Sequence, residues 1–142
     1  MTDPESLFTL ATYLSLPGWV LLVVAPRWRW SARIIGPVIL PMLLSALYVA
    51  SLALHLPHAE GGFGSIADVR TLFSDDWVLL AGWIHYLAFD LFVASWEVRD
   101  SQRLGISHVV VVPCLVLTLF VGPIGFLCYL LARALKRRVE IE

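Results

Sequence analysis

Four long apolar stretches, separated by short polar segments, dominate the hydrophobic pattern of the chain. Each has about the 20 residues that a helix needs to cross roughly 30 Å of hydrocarbon. Since no backbone N–H or C=O group can stay unpaired in lipid, each stretch is predicted to be a transmembrane helix. The pattern therefore predicts an all-α protein, a four-helix transmembrane bundle forming a single membrane domain over residues 1–142. The predicted spans cover residues 7–25, 34–56, 77–96 and 109–132.

The longest segment outside these spans, residues 57–76, predicts one further short helix. Its glycine-rich first half indicates a turn, and Ser65-Ile66-Ala67-Asp68 then has the pattern of a capping box. Apolar residues share one face of the residues that follow. We therefore expect a short interfacial helix on the bilayer surface, in the loop between spans two and three. Ser74-Asp75-Asp76 is expected to cap the third span.

The composition supports a membrane protein and excludes several other classes. Apolar residues make up 59 % of the chain and charged residues 15 %, against roughly 45–50 % and 25 % in soluble domains. The net charge of −1 provides no basic field for phosphate, so nucleic acid is excluded as a partner. Five basic residues fall on each side of the predicted bundle, so the positive-inside rule gives no orientation.

Two polar residues within the third span are the main candidates for chemistry. A charge at the bilayer centre costs about 2.5–3.5 kcal/mol, so it marks a functional site by default. Of the eleven acidic residues only Asp90 falls inside a predicted span, and of the four histidines only His85 lies deep. Asp90 is either a structural hydrogen-bonded group or a ligand-binding, catalytic or proton-relay group. His85 either joins two helices by a hydrogen bond or takes part in the chemistry.

The spacing of these two residues separates them around the helix. Five residues at about 100° each place His85 and Asp90 about 140° apart, so they are not expected to face a common point. Each would then work with a partner from another span. At matching depths, Tyr48 is the partner expected for His85, and Ser15, Trp19 or Thr118 for Asp90.

Polar residues that follow the third span allow two interpretations. Glu97 and Asp100, with two arginines nearby, either form a solvated loop or place Glu97 at the mouth of a cavity on the Asp90 face. His55 and His58 are a weak candidate for a metal pair, because Pro57 disturbs their geometry and no second ligand cluster is present. No phosphate-binding or dinucleotide motif occurs in the sequence. We therefore expect neither a metal nor a cofactor.

Several motifs resemble the plant neoxanthin synthase family, named for abscisic acid deficiency, and its bacterial relatives. The most specific is the run Gly-Trp-Ile-His-Tyr-Leu-Ala-Phe-Asp-Leu-Phe-Val at residues 82–93. Supporting similarity occurs at residues 26–30, 61–65, 112–115 and 122–125, and the resemblance extends over about residues 7–132.

The resemblance implies a four-span membrane protein with a lipid-soluble, carotenoid-like substrate. The plant reaction turns violaxanthin into neoxanthin: a ring epoxide opens, a neighbouring vinylic proton leaves, and an allenic alcohol results. This isomerisation requires an acid at the epoxide oxygen and a base at the carbon that loses its proton, and no redox cofactor.

Candidate roles in such a cofactor-independent isomerase follow from the chemistry. Asp90 would be the acid or, if ionised, the base, and His85, Tyr86 or Glu97 would supply the other half. Aromatic side chains would pack along the ring and polyene of the substrate. The candidates for substrate binding are Trp83, Phe89, Phe92, Trp96 and Tyr48.

Two other functions fit the same residues. One is a non-catalytic membrane subunit that binds pigment or organises carotenoid enzymes, and the other is a small oligomeric transporter or proton relay built on one Asp90 per chain. A homo-oligomer and an association with carotenoid enzymes both remain open, with membrane lipids as neighbours in either case. Because no long organellar transit peptide precedes the first span, we expect a bacterial multi-pass protein of the inner membrane.

Overall fold

The computed structural model describes residues 3–139, and within that range the chain is helical and contains no strand. A π-helical segment, Ser31–Ile39, leads directly into α2, and a short 3-10 turn, Leu56–His58, follows it. The predicted all-α architecture is confirmed. The five α-helices are α1 (Pro4–Val24), α2 (Leu40–His55), α3 (Ile66–Leu72), α4 (Asp76–Arg103) and α5 (His108–Val139).

Four helical stretches are long and apolar enough to cross a membrane: α1, the π-helical segment with α2, α4, and α5. The short helix α3 lies between the second and third of them, as predicted. The helices are longer than the predicted spans, because polar residues beside each apolar stretch are also helical. In particular, α4 runs past Trp96 as far as Arg103. The interpretation of Glu97 and Asp100 as part of a loop is therefore wrong, since both lie on α4.

Side-chain caps fix where the helices begin. Asp3 caps α1 by accepting hydrogen bonds from the backbone N–H and the hydroxyl of Ser6, at 2.8 and 3.0 Å. These bonds hold the pKa of Asp3 below its ordinary value. The Ser65 hydroxyl accepts from the Asp68 N–H at 3.1 Å, and Asp75 accepts from two N–H groups in the first turn of α4. The caps predicted for α3 and α4 are thus confirmed.

Helix α4 is the central element of the bundle. It contacts α1, the π-helical segment, α2 and α5 along its length. Two groups of buried side chains surround it, one including Leu44 and Ile84 and the other including Leu91 and Tyr129. Over residues 3–139, α1 and α5 make few close contacts with each other. They are joined directly by a hydrogen bond from His108 Nε2 to the Val23 carbonyl at 2.9 Å, and both contribute to the buried group around Leu91 of α4.

The π-helical segment depends on α4 for one of its backbone hydrogen bonds. In a π-helix the carbonyl of residue i accepts from residue i+5, and for Ala32 that residue is Pro37, which has no N–H. The Arg99 side chain of α4 donates to the Ala32 carbonyl at 2.8 Å instead. Close packing accompanies this bond, because a Cβ atom on Gly36 would lie 2.3 Å from the Ser95 hydroxyl oxygen.

This close approach leads to a stability prediction. Gly36→Ala should destabilise the bundle by about 1–3 kcal/mol, because the new methyl group overlaps Ser95 and the Ser31 carbonyl. Thermal unfolding in detergent measures the effect. The matched control is Gly62→Ala, where an added Cβ meets nothing within 4 Å. Equal melting temperatures for the two variants would contradict the packing described here.

Candidate functional site

An open groove with a volume of about 1530 Å³ occupies the end of the bundle where α1 and α4 begin. It starts at Asp3 and Asp76 and reaches inward to Tyr86 and Leu119. Side chains from α1, α2, α4, α5 and the loop after α2 form its walls, and most of them are apolar. They include Phe8, Leu16, Leu52, Phe63, Phe73, Leu79, Trp83 and Phe120.

Trp83 forms the wall of the groove between α4 and α1. Its indole N–H donates to the Thr12 hydroxyl at 3.0 Å. Its ring lies 5.1 Å from Phe8 and 5.3 Å from Tyr86, measured between ring centroids. These contacts hold the Trp83 and Tyr86 rings side by side along the groove.

Tyr86 closes the inner end of the groove by bonding to α5. Within an α-helix the carbonyl of residue 119 would accept from the N–H of residue 123, but Pro123 has none. The Tyr86 hydroxyl donates to the Leu119 carbonyl in its place. The sequence showed that prolines lie inside the spans. Because Leu119 precedes Pro123 by four residues, the sequence could have shown that the Leu119 carbonyl lacks its helical donor.

Asp90 lies one turn beyond Tyr86, against a kink in α5. The backbone of Val121 is not helical, with φ −147° and ψ 52°. At the next residue, Gly122, a Cβ atom would lie 2.6 Å from Asp90 Oδ1 and 3.1 Å from Oδ2. The kink and the missing side chain therefore make the space that the half-buried carboxyl group occupies.

One oxygen of this carboxyl group has no hydrogen-bond partner. Asp90 Oδ2 is buried, and no donor bonds to it within the part of the chain that the structure describes. Buried polar atoms are nearly always paired, because leaving one unpaired costs about 1–3 kcal/mol. Asp90 does not line the groove itself, but lies just beyond its inner end at Tyr86. The Tyr86 hydroxyl interacts with this carboxyl group but donates its hydrogen bond to Leu119, so the unpaired oxygen offers a position for a donor from a ligand or water.

Trp19 lies at about the same depth in the bundle as Asp90, as the sequence predicted, because this part of α1 packs on α4 next to Asp90. A Cβ on the preceding residue, Gly18, would lie 2.9 Å from Leu91, the residue after Asp90. The indole N–H of Trp19 is also buried and has no partner within residues 3–139. An unpaired donor on α1 and an unpaired acceptor on α4 therefore lie at a similar depth. Ser15, the other candidate on α1, instead donates to its own helix at the Thr12 carbonyl.

Glu97 is enclosed between α4 and α5 and does not lie at a cavity mouth. Its side chain is fully buried, and the Thr118 hydroxyl donates to its carboxyl group at 3.2 Å. Thr118, which was expected at the depth of Asp90, thus pairs with the acid one heptad further along α4. This position makes Glu97 a link between the two helices.

Asp100 ties the end of α4 to α5. It accepts hydrogen bonds from the Tyr129 hydroxyl at 2.9 Å, from Arg133 Nε at 2.6 Å and from Arg103 at 3.0 Å. The contributions of Tyr129 and Arg133 were missed from the sequence, because nothing in the pattern shows which face of α5 packs on α4. The cluster stabilises the far end of the bundle, away from the groove.

His85 lies on a different side of α4 from Asp90, as the helical angle predicts. Its ring stacks on Phe89 at a centroid distance of 4.5 Å and lies 5.7 Å from Tyr48 of α2. Both His85 and Tyr48 line the groove on its α2 side. Tyr48 thus lies beside His85 at the expected depth, but within residues 3–139 no hydrogen bond joins the two side chains.

The other aromatic candidates are divided between the outer surface of the bundle and its core. Phe89 and Phe92 are 58 % and 48 % exposed and lie outside the groove. Trp96 packs against Phe126 and Tyr129 of α5, at 5.7 and 5.5 Å. Among the side chains predicted to bind substrate, only Trp83 and Tyr48 line the groove.

Comparison with known proteins assigns the chain to a family. The ABA4-like family, described as ABA DEFICIENT 4-like, matches residues 6–129. The chain belongs to the ABA4-like family. This confirms the resemblance found in residues 82–93, and it places Trp83, Tyr86, Asp90 and Gly122 of this ABA4-like chain within the matched region.

One relative of this ABA4-like chain is Protein ABA DEFICIENT 4, chloroplastic, from Arabidopsis thaliana. The two are 24 % identical over 141 residues, an alignment that covers 92 % of this chain and 62 % of the plant protein. The chain thus spans less than two thirds of the length of this relative. The relative is chloroplastic, which does not support the expected bacterial inner membrane. No solved structure matches the chain.

Between residues 3 and 139 of the ABA4-like chain, no group of three or more His, Cys, Asp or Glu side chains is placed to hold a metal. His55, the weak metal candidate, instead stacks on Trp77 with ring centroids 4.0 Å apart. The candidate site is therefore one of carboxyl, hydroxyl and aromatic groups.

The bond between Tyr86 and the Leu119 carbonyl can be tested by a double-mutant cycle. Tyr86→Phe should destabilise the protein by about 1–3 kcal/mol, because it leaves a buried carbonyl without a donor. In a Pro123→Ala background, Tyr86→Phe should destabilise the protein less, because residue 123 then has an N–H that can donate to the Leu119 carbonyl. Equilibrium unfolding in detergent measures both values.

Tyr13→Phe is the matched control for this cycle. Tyr13 is exposed, and its hydroxyl makes no hydrogen bond among the described residues. The control should change stability little in either background. An equal cost of Tyr86→Phe with and without Pro123 would show that the hydroxyl does not replace the missing N–H.

Proposed function

We propose that this ABA4-like protein is a multi-pass membrane isomerase that opens the epoxide of a carotenoid or related isoprenoid, with Asp90 as its acid–base group. The family assignment supports a carotenoid-related membrane protein. The observation that carries the proposal is the buried, unpaired Oδ2 of Asp90 just beyond the inner end of the groove.

The groove suits one end of a long apolar molecule. Its volume of about 1530 Å³ exceeds the roughly 300–1,000 Å³ of common ligand pockets. Along α4 it runs from Asp76 to Leu87, a distance of about 16 Å at the helical rise. An end ring and the first part of a polyene fit this length. Because α1 and α5 make few contacts, a substrate can reach the groove sideways from the lipid.

A single carboxyl group can carry out both halves of the reaction. Protonated Asp90 donates its proton to the epoxide oxygen as the ring C–O bond breaks, and that oxygen becomes a hydroxyl group. The resulting carboxylate accepts the vinylic proton from the neighbouring carbon, and the electrons of that C–H bond complete the allene. Asp90 regains its proton, so the product is an isomer of the substrate and no electron acceptor is consumed.

The neighbouring residues take positioning roles in this proposal. Tyr86 bonds to Leu119 and holds the kinked part of α5 against α4, which keeps Gly122 beside the Asp90 carboxyl group. Trp83 provides a flat wall for the substrate ring. His85 faces α2 and takes no part in the proton transfers, and Glu97 fixes α4 to α5 through Thr118.

The proposal is tested by expression in a host that accumulates violaxanthin, with chromatography and mass spectrometry of the pigments. The wild-type protein should produce an allenic pigment of unchanged mass, and Asp90→Asn, which keeps the shape of the side chain, should abolish it. Asp68→Asn, the same change at an exposed carboxyl group outside the groove, should retain the activity and serves as the matched control. Full activity of Asp90→Asn would refute the role of Asp90. Pigment that copurifies unchanged with the wild type would favour a pigment-binding subunit instead.

The space at Gly122 gives a second test of the same site. In Gly122→Ala the new methyl group must displace the Asp90 carboxyl group. A shift of about 1 Å in a reacting group can cost on the order of 10²-fold in rate, so turnover should fall by about this factor while pigment binding remains. Gly62→Ala is the control, and turnover rates from timed pigment extracts provide the measurement. Unchanged turnover in Gly122→Ala would contradict the placement of Asp90.

A further inference from the structure

A second cleft, with a volume of about 400 Å³, lies at the opposite end of the bundle from the groove. Only four residues line it: Arg33, Arg99, Gln102 and Arg103. Three of its four lining side chains are therefore guanidinium groups. Neither the predicted chemistry nor the proposed isomerase activity uses this cleft.

The fold brings these arginines together from two helices that are distant in sequence. The contact of Gly36 with Ser95 holds the π-helical segment, and with it Arg33, against the last turns of α4. Arg99 is fixed by its bond to the Ala32 carbonyl. Gln102 donates to the Pro26 carbonyl, which holds the loop after α1 beside the same cleft.

The positive charges in the cleft exceed the negative charges available to them. Arg33 has no hydrogen-bond or ion-pair partner within residues 3–139, and the bond of Arg99 is to a neutral carbonyl. Arg103 pairs with Asp100, but Asp100 is shared with Arg133. Arg33 and Arg103 are exposed, so water screens part of the repulsion among these like charges, and an anion between them would reduce it further.

The helix dipole explains only part of this arrangement. Cations at the carboxyl end of a helix are favourable, which accounts for Arg99 and Arg103 at the end of α4. Arg33 lies near the amino end of its helical stretch, where the dipole disfavours a cation. The dipole therefore does not account for Arg33 beside two other arginines, whereas a bound anion would favour this position.

The surroundings place the cleft at the level of the lipid headgroups. Trp28 and Trp30, in the loop leading to the π-helical segment, are 50 % and 41 % exposed, and exposed tryptophans favour the membrane interface. Phosphate groups of lipids lie at this level. The planar fork of arginine binds phosphate oxygens through paired hydrogen bonds.

We propose that the cleft binds a phosphate oxyanion, with Arg33, Arg99 and Arg103 as its donors and the headgroup of an anionic phospholipid as its source. The anion would neutralise the excess positive charge and join the start of the second spanning helix to the end of α4. The site is independent of the proposed reaction at Asp90.

The test compares ligands and variants on the full chain in detergent, by native mass spectrometry and thermal unfolding. The probes are phosphatidylglycerol, phosphatidylcholine and inorganic phosphate. Arg33→Gln removes one donor that makes no hydrogen bond or ion pair within residues 3–139, and Arg29→Gln is the control at the same end of the bundle but outside the cleft. Phosphatidylglycerol should bind and raise the melting temperature more than phosphatidylcholine, and Arg33→Gln should weaken this binding by about tenfold.

Each outcome decides the proposal. Loss of phosphatidylglycerol binding in Arg33→Gln but not in Arg29→Gln supports the site with a lipid source. A response to inorganic phosphate that also depends on Arg33 supports the oxyanion site and assigns it a soluble source. Equal weakening by Arg33→Gln and Arg29→Gln would show a diffuse surface attraction and overturn the proposal. Equal binding of the two lipids would overturn it as well.

Discussion

Backbone carbonyls that have lost their helical donors are the main constraint on this bundle. In lipid no water is present to satisfy such a group, so another part of the protein must do so. Pro37 removes the donor for Ala32, and Pro123 removes the donor for Leu119. Side chains of α4 restore both bonds, through Arg99 and Tyr86. The same two bonds dock the second and fourth spanning stretches onto the central helix.

The backbone is irregular near both of these prolines, and both irregular segments pack against α4. The kink at Val121 opens the space in which the Asp90 carboxyl group lies against Gly122. The π-helical segment brings Arg33 to the carboxyl end of α4. The proposed sites at Asp90 and at Arg33 thus both adjoin an irregular part of the backbone.

Much of the architecture could be predicted from the hydrophobic pattern, because crossing a bilayer requires long uninterrupted apolar helices. The four spanning helices, the short α3 and the caps at Ser65 and Asp75 all follow from local patterns. The helical angle also separated His85 from Asp90 correctly. The polar ends were harder to predict: Glu97 looks like a loop residue in the sequence, yet it is buried because Thr118 pairs with it across two helices.

The details of the candidate site depend on contacts between helices that local patterns do not encode. The packing of the whole bundle decides which face of α5 contacts α4. This packing in turn decides which residues of α5 surround the Asp90 carboxyl group. Gly122 illustrates the result, since a methyl group there and a carboxyl group at position 90 would occupy the same volume. Any side chain larger than hydrogen at position 122 therefore changes where the carboxyl group of residue 90 lies, so the chemistry of α4 is coupled to a backbone position on α5.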